Sequence, residues 1–167
     1  FQMTFGPDEI TSEMATISFD NPNPSPAFGA VYWQYFEELD NIKFFKDTPL
    51  KIKKELFLEE NTKEGTKQTA IAEAKLKPGD LIKVRIILVV ENDMEYVHMK
   101  DMRAAGFEPI NVLSGYKYQN GLGYYESTRD ASTNFFFDYL KKGRYVFEYP
   151  LRVNHKGEFS NGITTIQ

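Results

Sequence analysis

The chain has 167 residues, a formal net charge of −4 from 20 basic and 24 acidic residues, 15 % aromatic content and no cysteine. This length carries one domain, or one with appendages, and a sizeable core. The missing cysteine excludes a disulfide framework, a thiolate metal site and a cysteine nucleophile within these residues, and the mixed charges offer neither a basic stripe for nucleic acid nor a basic amphipathic helix for a membrane surface.

The aromatic content is mostly Phe (14) and Tyr (10), which favours pleated, half-buried surfaces. The longest apolar run, Ile86 to Val90, is far short of the roughly 20 residues a spanning helix needs. With Phe1 at its head, the sequence reads as a piece cut from a longer chain. The absence of a leader therefore assigns no compartment.

In chain order, Gly6-Pro7-Asp8 reads as a turn after an opening segment. Thr11 to Phe19 alternates weakly, with Ala15, Ile17 and Phe19 on one side, and predicts a strand. Pro22, Pro24 and Pro26 fix φ and remove ladder donors, so Asn21 to Pro26 is a loop. Phe28 to Phe36 is aromatic and strand-like, while Tyr35, Leu39 and Ile42 leave room for a short helical turn. Leu50 to Glu59 predicts a strand with Leu50, Ile52, Leu56 and Leu58 inward. Lys54 breaks that phase, as at a bulge, an edge position or a strand end. Asn61 to Lys77 reads as an extended connector, although Ala70 to Lys75 has helix propensity, and Lys77-Pro-Gly-Asp80 is a turn.

Leu81 to Glu91 is the most apolar strand, with Ile82, Val84, Ile86, Leu88 and Val90 on one face. The other face turns apolar at Ile87 and Val89, which predicts cover on both sides there. Asn92-Asp93 is a turn, and Tyr96 to Met102 returns as a strand. Gly106 to Gly123 reads as a loop. Thr133 to Leu140 and Tyr145 to Val153 read as a hairpin around Lys141-Lys142-Gly143, with Pro150 placing the second strand at an edge or bulge. Gly157 turns into a last strand near Ile163 to Gln167. The expectation is an all-β chain, an antiparallel β-sandwich of about seven to nine strands with room for one short helix.

No catalytic motif emerges. There is no Gly-x-Ser-x-Gly elbow, and His98 and His155 lie apart. His98 and Asp101 fall on opposite faces of a strand, a poor ligand pair. Glu91, Asp93 and Glu95 read as a polar turn rather than a calcium loop. Gly121-Leu-Gly123 lacks the lysine of a phosphate loop. Tyr116, Tyr118, Tyr124 and Tyr125 form the one unusual cluster. They either anchor a partner or sugar rings, or pin a long loop to the sandwich.

Several motifs stand in a fixed order: Asp101-Met-Arg-Ala-Ala-Gly-Phe-Glu108, Arg129-Asp130 before the Phe135 strand, Leu140-Lys-Lys-Gly-Arg-Tyr145, Tyr149 to Val153, and Gly157-x-Phe159. Their order resembles the C-terminal macroglobulin-like domain of bacterial alpha-2-macroglobulins, envelope proteins that trap proteases. Ala105 to Glu108, Arg129, Asp130, Gly143 and Tyr145 match that family, whereas Met102 to Ala104, Thr128 and Ala131 depart from it. Tyr32 to Phe36 looks like an earlier aromatic strand of the same domain. The likeness implies a macroglobulin-like, immunoglobulin-like sandwich over residues 28–167. Residues 1–27 would add an opening strand and Pro-rich loop to the same module.

The resemblance also implies a non-catalytic structural and interaction domain, without a cofactor or metal. Its partners would be other domains of the parent chain and, through the full-length protein, a captured protease, with no nucleic acid and no membrane insertion. The address would be periplasmic or envelope-associated, in protease trapping, host colonisation or envelope defence. Thioester traps of this family carry Cys-x-Glu-Gln in a separate domain and a Met-Tyr-Ala-Pro-Glu-like shield, and the sequence contains neither. Gly106 and Gly143 would serve turns that need φ > 0 or a close backbone approach, and Arg129 with Asp130 would pin the following loop through a charge-assisted bond. The alternative is a carbohydrate-binding sandwich with a coplanar strip of Tyr116, Tyr118, Tyr124 and Tyr125. A cryptic glycosidase or esterase is a remote third reading.

Overall fold

The computed structural model describes residues 3–28, 32, 34–38, 41–42 and 48–167. The chain divides into two compact units, Phe1–Phe36 and Glu37–Gln167. The first holds two short 3-10 turns, Pro7–Glu9 and Ser12–Ala15, among exposed coil. The strand expected over Thr11 to Phe19 does not form. A weak alternation supplies no sheet without a partner strand, and Thr16 donates back to the Glu13 carbonyl at 3.2 Å instead. The expectations over Phe28 to Phe36, and at Leu39, fall partly or wholly outside the described residues.

The second unit is an all-β sandwich of ten strands: β1 (Leu50–Thr62), β2 (Gly65–Ala70), β3 (Leu81–Val90), β4 (Met94–Met102), β5 (Phe107–Pro109), β6 (Gly115–Gln119), β7 (Leu122–Thr128), β8 (Ser132–Leu140), β9 (Gly143–Val153) and β10 (Thr164–Ile166). The first sheet runs β2-β1-β3-β9-β5 and the second β10-β4-β8-β7-β6, with every pairing antiparallel. Four of the ten were not expected: β2, in the stretch read as a connector, and β5, β6 and β7, in and just after the stretch read as a loop. Helical structure among the described residues is limited to short 3-10 turns such as Ile71–Glu73.

β8 and β9 are not a hairpin. Lys141 and Lys142 carry the chain from the second sheet to the first, so β8 pairs β4 and β7 while β9 pairs β3 and β5. Asn92-Asp93 makes the same crossing between β3 and β4. The reason is burial. Phe135 and Phe137 of β8 meet Phe147 of β9 face to edge at 5.2 and 6.3 Å between ring centroids, across the sandwich rather than side by side. Tyr124 and the inner row of β3, Ile82 to Val90, complete this core.

Ile87 and Val89 on the outer face of β3 are half-buried, and no described strand covers them. They floor an open depression instead. Pro150 fits β9 because the backbone of Glu148, two residues earlier, faces away from β3; by strand alternation so does the donor Pro150 lacks. At Tyr96, φ is +55°, and the side-chain alternation of β4 reverses there: Met94 packs on the core side, Glu95 is exposed and Val97 is buried.

Candidate functional site

A densely bonded polar group of the sandwich is Asp101, near the end of β4. Its side chain is fully buried. Lys54 Nζ donates to Oδ1 at 2.7 Å and to the Met102 carbonyl at 2.8 Å. The Thr164 hydroxyl donates to Oδ1 at 2.6 Å, and the Tyr149 phenol donates to Oδ2. Lys54 and Tyr149 come from β1 and β9 of the first sheet, Asp101 and Thr164 from β4 and β10 of the second. One carboxylate thus ties four strands and both layers. Burial, then the Asp101 charge, holds the Tyr149 phenol well above the ordinary tyrosine range, so it stays a donor.

Lys54 is at neither a bulge nor a strand end, since its register with Ile86 is unbroken; it does lie at an edge position, on the stretch of β1 that pairs β3 alone, because β2 begins opposite Phe57. It keeps the inward phase of Ile52 and Leu56 and places a charge in the interior because a carboxylate waits there. β10 reaches Asp101 because Gly162 has no side chain: a Cβ there would stand 2.7 Å from the Met102 carbonyl carbon and 2.9 Å from its oxygen.

The loop before β8 is pinned from another direction. Arg103, buried beside Asp101, donates to the Thr133 hydroxyl at 3.1 Å, to the Ser132 carbonyl at 3.3 Å and to the Arg129 carbonyl. Burial lowers its guanidinium pKa from the usual value. Arg129 and Asp130 are exposed and form no ion pair within 4.0 Å among the described residues. What holds the loop is the Arg129 backbone, its carbonyl gripped by Arg103 and its N–H bonded to the Ser132 carbonyl at 2.8 Å. Gly106 does serve a close approach, since a Cβ there would meet the Phe159 ring at 2.7 Å. Gly143 does not. It has no positive φ, and a Cβ would find only ordinary contact with Tyr145 at 3.7 Å.

The four tyrosines part company. Tyr124 is 3 % exposed and lies in the core against Phe135 and Phe147. Burial, then Glu126, pushes its phenol up to about 12. Tyr116 and Tyr118 are 78 % exposed on the outer face of β6, and Tyr125 is half-buried beside Tyr116. Tyr116, Tyr125, Phe136 and His98 stand opposite one another across β6, β7, β8 and β4. They form one aromatic row. Neighbours in the row touch one another: Tyr116 meets Tyr125 edge-on at 74°, and His98 stacks on Phe136 at 4.7 Å. No coplanar strip of the four tyrosines exists for sugar rings.

A further device closes the edge of β9 beyond the end of β5. The Gln119 side chain accepts from the Glu148 N–H at 2.5 Å and donates to the Glu148 carbonyl at 3.3 Å, as a strand backbone would, and Asn120 donates to the Val146 carbonyl at 2.8 Å. Beneath this hairpin, Lys117 pairs with buried Glu126 at 2.6 Å.

His155 and His98 are not brought together by any cluster: among the described residues no group of three His, Asp or Glu is placed to hold a metal ion. Glu91 instead pairs with Lys51, and Asp93 accepts from the Tyr139 hydroxyl and the Lys142 N–H. Lys54, Tyr149, Thr164, Arg103 and Gln119 are the site residues that sequence reasoning passed over. Lys54 alone left a signal, as a charge on the inward phase of a strand.

The family model of the bacterial alpha-2-macroglobulin MG10 domain matches residues 50–167. No match was found among curated proteins or among solved structures. The matched span begins at β1 and covers both sheets with the whole Asp101 node, and the chain belongs to the family of the bacterial alpha-2-macroglobulin MG10 domain.

Proposed function

We propose that this chain is a non-catalytic structural and interaction domain at the C-terminal end of a bacterial alpha-2-macroglobulin-like protein. It packs on neighbouring domains of its parent and helps to govern their rearrangement after a protease cuts the bait. The parent acts in the periplasm or envelope, in protease trapping and envelope defence. The observation that carries the reading is Asp101. This aspartate is sealed from solvent, and both its oxygens are spent on Lys54, Thr164 and Tyr149 of the same chain. Such a group fixes how the two layers meet, and sealed from solvent it has no access to a substrate.

The test compares full-length parent protein with a form lacking these residues, in a protease-capture assay. Capture should fall without the domain, and the isolated chain should neither inhibit proteases nor hydrolyse ester or glycoside substrates. Undiminished capture by the shortened parent, or turnover by the isolated chain, refutes the reading.

A further inference from the structure

The outer face of the first sheet carries a polarity pattern that the Asp101 node does not use. Facing residues form rows across β1, β3 and β9: Lys51-Val89-Arg144, Lys53-Ile87-Val146, then Glu55-Arg85-Glu148. The first two rows surround an open depression of about 330 Å³, lined by Lys51, Ile52, Lys53, Ile87, Val89 and Arg144. Its floor is apolar, and cations stand on both sides, two strand spacings or about 10 Å apart. Lys141 and Lys142 adjoin Arg144 at the same end.

Across a chain of net charge −4, this is a local reversal of sign. Lys51 and Lys53 are held only by exposed pairs with Glu91 and Glu55. Such pairs contribute little and exchange readily. Among the described residues Arg144 has no carboxylate within 4.0 Å. In the third row the sign flips: Arg85 is neutralised by Glu148 at 2.6 Å and lies 4.7 Å from the Phe57 ring centroid. That row ends the cationic rim.

We propose that this depression docks an extended acidic polypeptide segment of a neighbouring domain of the parent protein. Apolar side chains of the segment lie on Ile87 and Val89, and its carboxylates meet Lys51, Lys53 and Arg144. Charge complementarity selects the occupant. An apolar floor about two strand spacings wide between two cationic walls suits a narrow chain with alternating carboxylates and apolar groups. The proposal rests on the docking reading above and names the chemistry of one docked surface. It accounts for apolar residues on an outer face that no described strand covers.

The probe is an acetylated, amidated peptide of alternating glutamate and leucine, titrated into the chain and followed by backbone amide NMR. Shifts should centre on Lys53, Ile87, Val89 and Arg144. Lys53→Glu and Arg144→Glu, both at exposed rim positions and checked for an intact spectrum, should each weaken binding about tenfold, as should raised salt. A peptide of alternating lysine and leucine should not bind. Shifts centred on the aromatic row of the second sheet, affinity unchanged by both reversals, or binding confined to phosphatidylglycerol vesicles would overturn the proposal. Any of these would leave the protease-capture result untouched, so failure of this surface is separable from failure of the docking reading.

Discussion

The Lys54 ammonium reaches across the sandwich to the Asp101 carboxylate at 2.7 Å, and neither group has much access to water. An ion pair buried between layers adds little net stability over an apolar pair of the same shape, but breaking one side leaves a stranded charge. Asp101→Ala should therefore lower unfolding free energy by about 3–5 kcal/mol in urea denaturation. The double variant Lys54→Met with Asp101→Leu should lose much less than the sum of its two single changes. Additive losses would mean that the two residues do not act as a pair.

The alternating strands were legible because their inner rows are nearly pure in type. Ile82 to Val90 and the Phe135-Phe137 pair announce a buried face in any register. Which strand pairs with which was not legible. A short polar link such as Lys141-Lys142 can either fold a strand back beside its neighbour or carry it to the opposite sheet, and only packing across the core decides. β6 and β7 did leave a mark. Asn120-Gly121, with φ of +51° and +81°, is the two-residue turn that favours a hairpin, and the surrounding glycines masked it. The Asp101 node joins Asp101 to partners up to 63 positions away in sequence, so no local pattern could have joined them.

Alkaline pH should test the buried phenols. Tyr124 is pushed up to about 12 and Tyr149 lies well above 10, in both cases chiefly by burial. In the unfolded chain each would ionise near the ordinary value of about 10. Above that pH the unfolded state binds fewer protons than the folded one, so stability is complete below about pH 10 and falls as pH rises toward 12. The slope from each buried phenol is about 1.4 kcal/mol per pH unit. Urea midpoints measured from pH 9 to 12 should fall less steeply in Tyr124→Phe than in the unsubstituted chain. Parallel curves would contradict this assignment.

Two glycines separate a steric requirement from a position that merely happens to hold glycine. Gly162→Ala drives a methyl into the Met102 backbone, displaces β10 and takes Thr164 away from Asp101. A loss of about 1–3 kcal/mol is expected, with faster amide exchange at Thr164 to Ile166. Gly143→Ala adds a methyl at ordinary contact distance and should stay within about 0.5 kcal/mol. Equal losses at both positions would show that the close approach at Met102 is not what demands glycine.

Gln119 substitutes for a missing strand. Its amide accepts from and donates to Glu148, so the open edge of β9 beside Pro150 presents fewer unpaired groups. Unpaired edges invite another chain to add on. Gln119→Ala removes both bonds at an edge that water can reach, so the stability loss should be about 1 kcal/mol. The larger effects should be faster exchange at the Glu148 amide and concentration-dependent self-association seen by sedimentation velocity. Gln119→Glu keeps the acceptor and loses the donor; it should protect the Glu148 amide nearly as well as the original residue while leaving the carbonyl bare. If both variants exchange at the original rate and stay monodisperse, the side chain does not guard this edge.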